Sequence, residues 1–311
     1  MVNPSITYRS LLVACDFSEH SKIAYARAIE IASAYQCPLW LVHCVADLSL
    51  MPSVSETGLP FNDYTIMQKE LVQESSVNLS RFIDENSSPT ANAAVHPKVL
   101  VGQPHVELSE FANREKIDLV VTGRSGHSGW EQFFLGSISR GLITRCPCSV
   151  MAVGDQLQQM PRTILAATDF SEASRVSVLE GISLAKKLGA AIHLIHVIDD
   201  QDVPQSSISA MKGAEAMRIS IQEHAKLRLE RFIATLECDG LTLLTHMSTG
   251  IPWQDVCQTA KNLQADLIVM GNVGRHGLSG LVLGNTADRV LSHTKIRVLA
   301  VKHSSDVVVT T

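Results

Sequence analysis

The stretch DLVVTGRSGHSGWEQFFLGSIS (Asp118–Ser139) joins an apolar run to a glycine-rich segment and then to a fresh helical pattern. The same three parts recur in DLIVMGNVGRHGLSGLVLGNTA (Asp266–Ala287), where Gly271, Gly274 and Gly284 answer Gly123, Gly126 and Gly136, each 148 residues on. One such match is only suggestive, since a glycine pair after a strand is often a tight turn. Two in register point to a duplicated unit.

The rest of the chain repeats with it. LLVACDFSEHSKIAYARAIEIASAY (Leu11–Tyr35) matches ILAATDFSEASRVSVLEGISLAKKL (Ile164–Leu188), which aligns Asp16 with Asp169 and, further on, His43 with His196 at an offset of 153. VLVGQPHVEL then pairs with HMSTGIPWQDV at an offset of 148, so the first half carries five extra residues between its second and third strands. Two domains are expected, residues 1–155 and 160–311, joined through the polar stretch GDQLQQMPR (Gly154–Arg162).

Each half alternates short runs rich in Val, Leu and Ile with helical segments. In the first half the runs Leu11–Cys15, Leu39–Val45, Val99–Val101, Leu119–Thr122 and Ser149–Val153 read as strands, and Ile23–Ala34 and Ile66–Glu85 as helices. Such runs, apolar throughout, predict an α/β fold whose parallel sheet is covered on both faces. In such a sheet a ligand binds beyond the carboxyl ends of the strands, where the strand order reverses. Asp16 ends the first strand and Gly123 the fourth. If these strands are neighbours, the acid and the glycine segment face one crevice.

Composition excludes other classes. The 311 residues are 45% hydrophobic and 18% charged, with a formal net charge of −5. There is no basic stripe for nucleic acid and no apolar run of transmembrane length. No secretory leader pattern opens the sequence, and seven cysteines without framework spacing read as thiols in a reducing, cytoplasmic setting.

Gly123, Gly126 and Gly136 lack Cβ, so φ above zero is open to them and backbone N–H groups can approach a ligand closely. Gly136 and Ser137 open the next helix, whose free N–H groups and dipole attract phosphate, and Ser137 and Ser139 add hydroxyls. Asp16 suits a ribose hydroxyl or an adenine donor. Plainer readings stand beside these. The glycines serve tight turns, Asp16 and Asp169 cap helices, His43 and His196 are satisfied core residues, and Arg124 and Arg275 are solvated unless they meet phosphate.

With its doubled G-x2-G-x9-G spacing, its two DFSE turns and its HCV and HVI strand ends, the chain resembles the tandem universal stress proteins of bacteria from Tyr8 to Val153 and from Thr163 to Lys302. The second half is similar to those of the enterobacterial E type. The resemblance implies two doubly wound domains, each a five-stranded parallel sheet of order 3-2-1-4-5, and ATP, with magnesium, as ligand. It implies contacts from Ala14, Asp16, Cys44, Thr122, Gly123, Gly126, Gly136, Ser137, Ile138 and Ser139 in the first half. In the second half it implies Ala167, Asp169, Val197, Met270, Gly271, Gly274, Gly284, Asn285 and Thr286. Asn285 departs from the pattern, which has Ser or Thr there, so ATP is better supported in the first half.

No P-loop, nucleophile elbow or metalloprotease motif is present, and no base to activate water is evident. The leading expectation is a nucleotide-responsive stress module acting on an unnamed client protein. The alternatives are a slow ATPase or autophosphorylating protein, with Ser137 or Ser139 as acceptor, and a scaffold that no longer binds nucleotide. Single-domain members of the resembled family dimerise through their last strands. The runs Cys148–Val153 and Arg297–Lys302 are accordingly expected to make an internal pseudo-dimer, with a further homodimer left open.

Overall fold

The computed structural model describes residues 7–50, 61–87, 92–124, 135–154, 160–199, 214–238, 240–273 and 283–302. They belong to two compact units, one of Tyr8–Leu157 and one of the residues from Gln158 on together with Thr7.

The first unit runs β1 (Leu11–Cys15), α1 (Glu19–Tyr35), β2 (Leu39–Val45), a 3-10 turn (Leu48–Leu50), α2 (Phe61–Asn86), β3 (Val95–Val101), α3 (Pro104–Arg114), β4 (Leu119–Gly123), α4 (Ser137–Arg145) and β5 (Ser149–Val153). The second runs β6 (Thr163–Ala167), α5 (Glu172–Leu188), β7 (Ala191–Asp199), α6 (Ala214–Ala234), β8 (Leu243–Gly250), α7 (Pro252–Asn262), β9 (Leu267–Gly271), α8 (Asn285–His293) and β10 (Arg297–Val301). Within the units the strands lie in the orders β3-β2-β1-β4-β5 and β8-β7-β6-β9-β10, and these pairings are parallel. Each is the expected 3-2-1-4-5 arrangement.

The central strands are apolar throughout because helices cover both faces. In the first unit Tyr25 of α1 meets Phe82 of α2 at 5.6 Å on one face, while Trp40 of β2 meets Phe111 of α3 at 5.2 Å on the other. Leu11, Leu12, Val13, Leu39, Leu41, Leu119, Val120 and Val121 are fully buried between these layers.

The turn after the first strand is built alike in both units. Phe17 (φ 63°) and Phe170 (φ 65°) sit in the left-handed region, a strained conformation for a bulky residue. Stacking holds them there: Phe17 lies 4.5 Å from His43 and Phe170 lies 4.0 Å from His196. His43 donates through Nδ1 to the Cys15 carbonyl at 2.8 Å, and His196 to the Thr168 carbonyl at 2.9 Å. Both histidines are satisfied, His196 buried and His43 half-buried. The helix caps are Ser18 and Ser171, whose hydroxyls accept from the Ser21 and Ser174 amides, so the N-cap role belongs to the serines and not to Asp16 or Asp169. The two aspartates brace the turn one step earlier, accepting from the amides of Ser18 (3.1 Å) and Ser171 (2.9 Å).

Candidate functional site

In each unit the order reverses beside the first strand, so the carboxyl ends of β1 and β4, and of β6 and β9, are neighbours. One step past the paired residues Cys15 and His43 come Asp16 and Cys44, both partly exposed at this end of the sheet. Burial pushes the Cys44 thiol up to about 12, with Glu107 adding to the shift, so it is a protonated contact surface and not a nucleophile.

From Gly123 the backbone reaches α4 by a short route. The Arg124 amide donates to the Val153 carbonyl at 3.0 Å, and the Gly136 amide to the Arg124 carbonyl at 2.6 Å. The second unit repeats this, with Asn272 donating to Val301 at 3.0 Å and Gly284 to Asn272 at 2.8 Å. Gly136 and Gly284 are the N-caps of α4 and α8 and carry no side-chain cap, so each helix start presents backbone N–H groups at the strand end. Ser137 and Asn285 stand exposed at these starts, with Ile138 and Thr286 beside them half-buried. Gly126, Gly274 and Arg275 lie outside the described residues.

The structure corrects three sequence expectations here. Gly123 does not use a positive φ; a Cβ there would stand 2.9 Å from His20 Cβ and 3.1 Å from the His20 carbonyl, so glycine is required by the approach of α1. Arg124 is not solvated but 7% exposed. Ser139 is also buried, at 3%, and its hydroxyl donates to the Gly123 carbonyl at 2.6 Å, with Thr122 Oγ1 3.3 Å away. It ties β4 to α4 and does not point outward. The matching residues in the second unit are Met270 and Ala287, both buried, so apolar side chains stand where the first unit has its two hydroxyls.

Asn285 is also committed: its side-chain carbonyl accepts from Arg289 Nε at 3.0 Å, and that guanidinium lies 5.9 Å from the Trp253 ring. Sequence reading missed a second shared device. Glu107 lies against Gly102 and Asp255 against Gly250, where a Cβ would meet the carboxylate at 2.5 and 2.9 Å. The repeated G-x-P-x-x-[DE] of GQPHVE and GIPWQD was the available signal. Among the described residues no group of three or more His, Cys, Asp or Glu is placed to hold a metal.

The model of the universal stress protein family matches residues 7–154 and again 160–302. The chain belongs to the universal stress protein family. A universal stress protein E homolog of Haemophilus influenzae is 25% identical over 96% of this chain and 98% of its own length. A shorter universal stress protein of Methanocaldococcus jannaschii is 30% identical over 50% of this chain and 88% of its own length. The crystal structure of a universal stress protein from Archaeoglobus fulgidus superposes with a TM-score of 0.65 at 18% identity, covering 96% of this chain and 97% of that one, which shows the shared fold. In this universal stress protein no helix among the described residues is long and apolar enough to cross a membrane.

Proposed function

We propose that this universal stress protein is a nucleotide-responsive regulatory module whose first unit binds ATP with magnesium and whose occupancy is read by a partner protein. The observation that carries this reading is the start of α4. Gly136 caps it without a side chain and a backbone bond fixes it at the end of β4, next to the strand that carries Asp16. A helix start of this kind stabilises phosphate through N–H donors and the dipole. Asp16 would repel phosphate but accepts from a ribose or base donor, so the ligand runs from Asp16 and Cys44 toward Ser137 and Ile138. With no acid cluster among the described residues, the magnesium ion would be held by phosphate oxygens and water.

The test must separate binding from folding, and Ser137→Glu does so. An acid at an exposed first helical position favours the helix dipole but repels phosphate. The variant is expected to keep its thermal stability and lose ATP affinity by about tenfold, roughly 1.4 kcal/mol, in calorimetry on the full chain. Unchanged affinity refutes the site.

A second reading, slow phosphoryl transfer to the chain itself, is favoured by one observation: of the two candidate acceptors, Ser137 is exposed while Ser139 is buried with its hydroxyl engaged. Mass spectrometry after incubation with ATP should find any label on Ser137. Label that persists in Ser137→Ala excludes it.

A further inference from the structure

The duplication leaves each unit with one topologically equivalent outer strand, β3 in the first and β8 in the second. The two edges are not alike. β3 reads VHPKVLV and β8 reads LLTHMSTG, so Thr245 and His246 replace Pro97 and Lys98 at the matching positions.

The ladder fixes which backbone groups face out. Gly102 N donates inward to the Val45 carbonyl, and Val45 is in register with Val101. Successive residues alternate, so the amides of even-numbered residues of β3 point at β2 and those of odd-numbered residues point away. Ile198 and Thr249 hold the same register in the second unit, so the parity carries over. Pro97 therefore deletes a donor from the outer side of β3 without cost to its inner ladder, and Lys98 adds a charge. Both are ordinary protections of a sheet edge. β8 has neither: no Asp, Glu, Lys or Arg occurs from Gly240 to Gln254. Leu244 is 49% exposed, Met247 39% and Ile251 42%, and among the described residues no strand pairs with this edge.

We propose that β8 is a self-association edge, pairing antiparallel with β8 of a second copy of this chain about a two-fold axis at Met247. The sequence of the edge is complementary to itself in that register. That axis sets Met247 opposite Met247 and Thr245 opposite Thr249. These are all odd-numbered residues whose amides face outward, so they form the hydrogen-bonded pairs of an antiparallel ladder. Thr–Thr and apolar pairs are favourable cross-strand neighbours, and no like charges meet. His246 points to the other face, where its Nε2 lies 2.9 Å from His193 Nδ1, and stays within its own unit. A single strand pair is a small interface, so association on the order of micromolar is expected.

The test is sedimentation equilibrium on the full chain, with amide exchange read at β8. The chain should approach twice its monomer mass at tens of micromolar, with the Thr245, Met247 and Thr249 amides protected more as concentration rises. Thr245→Pro imports the protection found in β3 and removes only an outward amide; Met247→Lys places two charges on the axis. Each should return the chain to monomer with its circular dichroism unchanged. A wild-type monomer with fast exchange at these amides refutes the proposal. So does a dimer indifferent to both substitutions, or protection in a monomer, which would mean that another part of the same chain covers the edge.

Discussion

The carboxyl ends of β4 and β9 carry the same backbone and different fastenings. In the first unit two buried hydroxyls, Thr122 and Ser139, gather on the Gly123 carbonyl; in the second, Met270 and Ala287 fill that place with apolar atoms. Gly123 is pressed against the His20 backbone, whereas a Cβ on Gly271 would find no atom nearer than 3.4 Å. The bonds from Arg124 and Gly136, matched by Asn272 and Gly284, are common to both. Main-chain hydrogen bonds thus preserve the crevice, while the side chains that lock it are free to change as long as each buried pair stays mutually satisfied.

The sharpest way to break this comparison is to put alanine at both glycines. Gly123→Ala should cost about 2 kcal/mol in chemical denaturation, because the neighbour it meets is helix backbone. Gly271→Ala should stay within about 0.5 kcal/mol. Equal costs would mean that the two helices approach alike. Gly123→Val, the natural probe of phosphate approach, is unsuitable for that purpose, since loss of folding would mimic loss of binding.

Next in size is the hydroxyl lock. Ser139→Ala removes a buried bond to the Gly123 carbonyl and should cost about 1.5 kcal/mol. Adding Thr122→Met recreates the second unit's pair and should recover part of that loss. A double-mutant cycle that is strictly additive would show the two positions to be independent.

Ligand binding gives a smaller contrast. Arg289 holds the Asn285 side chain by its carbonyl, which fixes the direction of its NH2 group, whereas Ser137 offers a compact, exposed hydroxyl. Asn285→Ser should therefore improve binding of a triphosphate in the second unit by about fivefold, roughly 1 kcal/mol, seen as a second calorimetric event. An unchanged isotherm would place the difference between the units elsewhere.

The smallest effect is in pH. Burial, and then the charge of His246, lower the His193 pKa from its ordinary value. The unfolded chain therefore binds the proton more readily, so the second unit's stability is intact above the unfolded pKa near about 6.5 and declines as pH falls below it. Protection factors at β7 and β8, corrected for the intrinsic pH dependence of amide exchange, should fall between pH 7.5 and 5, and His193→Phe should flatten that response. Identical profiles in both proteins would remove the pair from the account.

How much was legible follows from where each signal resides. β1, β2 and β5 are the three runs expected, residue for residue, because buried parallel strands are uninterrupted apolar stretches. β3 begins at Val95 and not at Val99, since Pro97 and Lys98 at an edge break the apolar run. α1 starts at Glu19, four residues before its first apolar position, because its beginning is set by the Ser18 cap. In the crevice, Asp16 and Gly123 could each be placed at a strand end from the sequence, but on neighbouring strands only through the 3-2-1-4-5 order that the resemblance implied. The inward turn of Ser139 and the reason for Gly123 could not, because both depend on α1 and α4 meeting the strand end in three dimensions. Asn285 was visible as a departure, but its hold on Arg289 was not.

The bond from Gly136 N to the Arg124 carbonyl has a further consequence. It closes a ring in the chain, so both anchor points of residues 125–135 are fixed by main-chain contacts that owe nothing to what the intervening sequence says. Lengthening such a ring is inexpensive, about 0.6 kcal/mol for each doubling, because its ends are already held together. A guest segment, such as an epitope or a reporter, spliced between Arg124 and Gly136 is therefore expected to leave the end of β4 and the start of α4 joined, without the sheet having to be redesigned.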